Sequence, residues 1–131
     1  MKIKDFTKAE HYFQKSLKIR QEHFKDENED TAESLNILGV LYAEMGNFEE
    51  SERNLLKGFE IRRKLYGEIH NLTEFSYNNL GFLYQNMEEF EKAKENYLKS
   101  LEIRRKLFRD LNSNTAQSYN NLGSLYNKRG S

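Results

Sequence analysis

SYNNLGFLY, Ser76 to Tyr84, is written again as SYNNLGSLY from Ser118 to Tyr126, and a looser copy, SLNILGVLY, stands at Ser34 to Tyr42. Gly39, Gly81 and Gly123 therefore recur at an interval of 42 residues. A fixed period of that size marks a chain built by stacking one structural unit on the next. A second phrase keeps the same step, with SLKIRQEHF starting at Ser16, GFEIRRKLY at Gly58 and SLEIRRKLF at Ser100. The chain reads as an array whose core is spread along the interfaces between units.

The two phrases are two helices. Leu35, Leu38, Leu41, Tyr42 and Met45 recur at three and four, which is helical spacing with one buried face. Asp30 and Glu33 read as a capping box, and Gly46 as the stop. Asn47 then caps a second helix, with Glu50 reaching back, and Phe48, Leu55, Leu56, Phe59, Ile61 and Leu65 line it as far as Tyr66. With these named helix A and helix B, the template predicts a B helix over 5–24, an A/B pair over 31–66, a second pair over 73–108 and a last A helix over 115–129. The result is one all-α repeat array over 1–131, with no strand.

Two details sharpen that expectation. A glycine inside a helix is worse than alanine by about 1 kcal/mol, so three at one phase predict a close crossing by helix B, received by the small residues Ala9, Ser51 and Ala93. The middle turn, MEEF, has Glu88 and Glu89 where the first pair has Gly46 and Asn47. That turn has lost its stop and its cap. A single helix running through it in a swapped dimer is the alternative to a normal hairpin.

Composition excludes several functions. The chain carries 21 basic and 21 acidic residues, so no net field draws it to nucleic acid or to an anionic membrane. It has no cysteine, no apolar leader and no run of about 20 apolar residues, which points to a soluble, cytoplasmic protein. His11, His23 and His70 are scattered, which argues against a metal site. The acidic pairs Glu49-Glu50 and Glu88-Glu89 fall on turns, without the burial that acid catalysis needs. The expectation is a protein that is not an enzyme and has no cofactor.

Leu-Gly-x-Leu-Tyr on helix A, Gly46-Asn47-Phe48 at the turn and a small residue on helix B resemble a tetratricopeptide repeat array. The 42-residue period and the NNLG and EIRRKL phrases narrow the resemblance to repeats of the kinesin light chain type. It implies a right-handed helix-turn-helix solenoid that binds protein partners along a concave groove lined by A helices. The sequence departs from that type in lacking His-Pro in its linkers, where His70-Asn71, Asn28-Glu29 and Asn112-Ser113 stand instead.

If Leu35, Leu38, Tyr42 and Met45 mark the buried face, the opposite stripe of the first A helix is Glu33, Asn36, Val40, Ala43 and Glu44, with Ile37 at its edge. The next stripe is Phe75, Asn78, Phe82, Gln85 and Asn86, with Asn79 at the edge. The last is Gln117, Asn120, Ser124, Asn127 and Lys128, with Asn121 at the edge. Side-chain amides offer donors and an acceptor together, so such a stripe suits the backbone of an extended peptide. The resemblance implies the same role for Asn78, Asn79, Asn120 and Asn121, while Ile37 breaks the phrase in the first copy. The candidate peptide-binding residues are Asn36, Phe75, Asn78, Asn79, Phe82, Gln85, Asn120 and Asn121, with Phe75 and Phe82 as apolar anchors. The competing reading is that the asparagines only solvate a helix face and bond between neighbouring repeats.

The IRRK clusters, Arg62 to Lys64 and Arg104 to Lys106, end each B helix, where cations complement the helix dipole; a rim for acidic partner residues is the functional alternative. The array starts on a B helix and stops on an A helix. These are complementary halves of one repeat, so a self-assembling element or spacer, joining copies head to tail, stands as the alternative function, beside an excerpt from a longer array.

Overall fold

The computed structural model describes residues 5–24, 27–108 and 113–129, and every regular element among them is an α-helix. In chain order these are α1 (Phe6–Phe24), α2 (Glu29–Met45), α3 (Phe48–Tyr66), α4 (Asn71–Asn86), α5 (Phe90–Phe108) and α6 (Ser113–Arg129). They form two compact units, Met1–Leu65 and Tyr66–Ser131. The first unit thus follows the order B, A, B and the second the order A, B, A.

In the first unit, α2 starts two residues before the expected place. Its cap is Asn28, not Asp30: the Asn28 side chain accepts the Thr31 N–H at 2.9 Å. Glu29 and Asp30 thereby enter the first turn, where negative charge faces the positive end of the helix. At the far end Gly46 takes φ 83°, its N–H bonds the Ala43 carbonyl, and the Asn47 N–H bonds that of Tyr42 at 2.8 Å. These two bonds satisfy carbonyls the helix leaves open and reverse the chain. The Asn47 carbonyl then accepts from Ser51 N–H at the start of α3.

The expected close crossing is present. A Cβ on Gly39 would stand 2.4 Å from the Leu55 side chain of α3, which is fully buried. Ser51 occupies the small-residue position and its hydroxyl donates to the Gly39 carbonyl at 2.6 Å. On the other side of α2, the Tyr42 hydroxyl joins α1, donating to Glu10 at 2.6 Å and accepting from Gln14 at 2.7 Å. Burial, then the Glu10 carboxylate, pushes this phenol up to about 12. Leu17 of α1 packs against Ala32, Leu35 and Ile61. Met45, expected on the buried face, is exposed.

In the second unit α4 also starts early, at Asn71 rather than Thr73. His70 is its cap, with Nδ1 accepting the Leu72 N–H at 3.0 Å and the imidazole stacked on Tyr66 at 4.2 Å between centroids. The hydroxyl of Thr73 donates to the Gly67 carbonyl at 2.8 Å, tying the linker to the first turn. The MEEF segment is a turn between α4 and α5 in the single chain, the normal hairpin of the two alternatives. Glu88 takes φ 61°, its N–H bonds the Gln85 carbonyl, and the Glu89 N–H bonds that of Tyr84. This repeats bond for bond the closure at Gly46. A residue with a Cβ in that conformation is strained by about 1–2 kcal/mol, which the closure tolerates.

Gly81 meets the buried ring of Tyr97, where a Cβ would lie 2.6 Å from the ring, and Ala93 is fully buried beside it. Gly123 departs from the expectation of a crossing at each glycine, having nothing within 4 Å of a built Cβ. The position 42 residues beyond Tyr97 lies outside the 131 residues of the sequence.

Candidate peptide-binding face

The second unit brings two A helices side by side. Asn121 Nδ2 on α6 donates to Asn78 Oδ1 on α4 at 2.8 Å, and Gln117 Nε2 donates to Asn121 Oδ1 at 3.2 Å. The bridge fixes the rotamers of Asn78 and Asn121. It uses only part of their capacity, since an amide has two N–H donors and two acceptor lone pairs.

Along α4, Phe75, Asn79 and Phe82 follow each other at helical spacing beside this bridge; Phe75 is 47% exposed, and Asn79 and Phe82 are half-buried. Gln85 continues the stripe. Its Oε1 accepts the Tyr97 hydroxyl at 2.9 Å, so its amide nitrogen remains to serve the surface. Burial pushes the Tyr97 phenol up to about 12, which keeps it a neutral donor. Beyond Gln85 the stripe opens into a recess of about 390 Å³ lined by Gln85, Asn86, Glu88, Phe90 and Lys128.

Not every candidate joins this face. Asn120 is exposed on α6, one turn from Gly123. Asn36 is only 3% exposed, and neither its Nδ2 nor its Oδ1 has a hydrogen-bond partner among the described residues. Burying an unpaired amide costs about 1–3 kcal/mol, and at that depth it is not presented to a ligand. Ala43 is buried as well, while Glu33, Ile37 and Glu44 are exposed and Val40 is half-buried. The assembled stripe is therefore Phe75, Asn78, Asn79, Phe82, Gln85 and Asn121. A larger recess, about 470 Å³, lies elsewhere, against Tyr77, Glu95, Asn96, Leu98, Lys99 and Glu102. It lacks converging amides, and Asn96 there spends its amide on the Lys92 carbonyl at 2.8 Å.

The basic clusters divide differently from the sequence expectation. Their first arginines, Arg62 and Arg104, are buried, while Arg63, Lys64, Arg105 and Lys106 are exposed. Arg62 makes two bonds to Glu29, at 3.2 and 2.9 Å. Arg104 lies 2.7 Å from Glu74, which also accepts the Ser100 hydroxyl at 2.5 Å. These pairs lock helix A to helix B. A signal existed in the sequence: in the 42-residue frame Ala32 and Gly58 become Glu74 and Ser100 together.

Among the described residues, no group of three His, Cys, Asp or Glu side chains is placed to hold a metal ion, and no helix is long and apolar enough to cross a membrane.

Helix-turn-helix units repeated every 42 residues, with a glycine of the first helix crossing the second, define a helical-repeat protein. The tetratricopeptide repeat family matches residues 1–64 and 72–131, and the chain belongs to that family. The crystal structure of BtubC (BKLC) from P. vanneervenii is similar at TM-score 0.86 and 28% identity, over 95% of this chain and 50% of that one. The crystal structure of kinesin-light-chain-like, nearly identical TPR-like repeats from Podosopora anserina is similar at TM-score 0.84 and 20% identity, over 95% of this chain and 59% of that one. The chain thus spans between half and three fifths of the length of these two structures, and it shares with them the fold class of tetratricopeptide-type repeats. No curated protein matches it.

Proposed function

We propose that the chain holds an extended peptide segment of a protein partner along the stripe Phe75, Asn78, Asn79, Phe82, Gln85 and Asn121. Tetratricopeptide repeats are generally protein-interaction modules. The observation that carries the finer reading is the Asn121–Asn78 bridge, which holds two amide-bearing helices in register with unspent donors beside an exposed Phe75. A preset amide loses little rotamer freedom when it bonds a peptide backbone, so more of the contact energy appears as affinity. Phe75 and Phe82 then supply the apolar anchors that give sequence preference.

The test uses peptides selected from a random display library on the parent chain. Asn79→Ala removes an amide that the helix bridge does not use, and it is expected to weaken those peptides by about tenfold or more with helicity unchanged. The double variant with Asn121→Ala should weaken them further. Selected peptides that bind both variants as tightly as the parent sink the groove assignment.

A further inference from the structure

We propose that His70 is a proton-sensitive latch on the start of α4: the neutral imidazole closes the helix and the imidazolium releases it. The comparison is internal to the repeat. Positions 28, 70 and 112, one period apart, hold Asn, His and Asn, so the second copy alone carries a titrating side chain there. Asn28 and His70 stand in the same extended backbone, with φ −144° and ψ 168° against φ −157° and ψ 144°. Each side chain accepts an N–H from the first turn of the helix that follows.

The two caps differ in chemistry. Asn28 uses an amide oxygen, which accepts at any pH near neutrality. His70 uses Nδ1, which accepts the Leu72 N–H at 3.0 Å. A ring nitrogen accepts only while it carries no hydrogen, so this bond requires the neutral ring with its proton on Nε2. Histidine is the side chain whose charge ordinarily changes between about pH 5 and 8.

Protonation acts on this turn in two ways. It sets a hydrogen on Nδ1, so two donors face each other where a bond stood, and it brings a positive charge to the positive end of the helix. The ring is stacked on Tyr66, 4.2 Å between centroids and 12° between planes, which fixes the rotamer that aims Nδ1 at Leu72. The titratable groups around it are Tyr66, Glu68 and Glu74. The Glu68 carboxylate accepts the Tyr77 hydroxyl, and that of Glu74 is held by Arg104 and Ser100. Among the described residues no carboxylate bonds the His70 ring, so the charged form gains no ion pair in return for the lost cap.

What the latch holds is the turn from Asn71 to Glu74. The Glu74 N–H bonds the His70 carbonyl at 2.9 Å, and the Thr73 hydroxyl bonds the Gly67 carbonyl at 2.8 Å. Cap, linker and buried carboxylate thus meet in one turn. Losing the cap loosens the linker between α3 and α4 and the helix end that precedes Phe75, whereas α2, capped by Asn28, does not respond.

Backbone amide exchange on the intact chain is the first measurement, read as protection factors so that the intrinsic pH dependence of exchange cancels. Between about pH 7.5 and about pH 5.5, protection at Leu72 is expected to fall about fivefold or more while that at Thr31 stays level. His70→Asn sets the Asn28 cap into the second copy and is expected to abolish the response. His70→Asp, whose carboxylate accepts and stays charged across that interval, gives the same readout should His70→Asn fail to fold. Leu72 protection that stays level in the parent overturns the latch. So does a variant that loses protection at Leu72 as fully as the parent, since another group is then titrating. None of these results bears on peptide binding at Asn79.

Discussion

The α2–α3 and α4–α5 hairpins share a backbone plan and differ in the side chains that execute it. The first turns on Gly46 and Asn47, the second on Glu88 and Glu89, yet both close with the same pair of backbone bonds. The first fills the glycine crossing with Leu55, the second with Tyr97, which also reaches Gln85. The first pairs its buried arginine with Glu29, the second with Glu74, one helical turn further on. Substitutions come in matched sets: the small pair Ala32 and Gly58 allows close packing where Glu74 and Ser100 place a hydrogen-bonded carboxylate. What the repeat preserves is a helix separation and a bonding pattern. It leaves residue identity free wherever a partner changes with it.

The largest contrast between the hairpins should appear at their ion pairs. Glu74 and Arg104 are both nearly inaccessible, so Glu74→Ala strands a buried guanidinium and is expected to destabilise the chain by about 3–5 kcal/mol. Glu29 is part exposed, and water can replace it, so Glu29→Ala is expected to lose about 1–2 kcal/mol. Denaturant titration of the two variants ranks them; equal losses would show that the second hairpin gains nothing special from its buried carboxylate.

The three glycines come next. Gly81→Ala pushes a methyl into a buried ring and Gly39→Ala into a buried leucine, so both are expected to destabilise, by about 1–3 kcal/mol, the ring being the less yielding neighbour. Gly123→Ala has open space and is expected to stabilise by about 1 kcal/mol through helix propensity. A loss at Gly123 as large as that at Gly81 would mean that this third face is already covered.

The smallest effect separates the turns. Glu88→Gly relieves a side chain held at φ 61° and is expected to stabilise the second hairpin by about 1 kcal/mol, bringing its closure level with that at Gly46. Amide exchange at Glu88 and Glu89 would register the change locally. No slowing of exchange there would indicate that the closure bonds, rather than the residue, govern this turn.

Much of the architecture was legible in the chain. Periodicity found the six helices of the described residues, because burial of one face at three- and four-residue spacing leaves its mark on every copy. It located the hairpin crossings at Gly39 and Gly81, because a missing Cβ inside a helix needs a neighbour to explain it. Helix starts were less legible: Asn28 and His70 act as caps through side-chain geometry that Asp30 and Thr73 could equally have offered in sequence. The amide stripe was legible as a pattern, yet the pattern alone overextended it. Asn36 matches Asn78 in register and is buried, while Asn78 is bridged to Asn121.

What the sequence determined by itself was the repeat, its 42-residue step, the helical hairpin and the family, since all of these follow from local spacing and from copies of one phrase. Tertiary structure alone decided which amides face outward, which arginines are buried and which glycine is uncovered. Those outcomes depend on what another helix places within a few ångströms, and residues with the same local sequence meet different neighbours in successive copies.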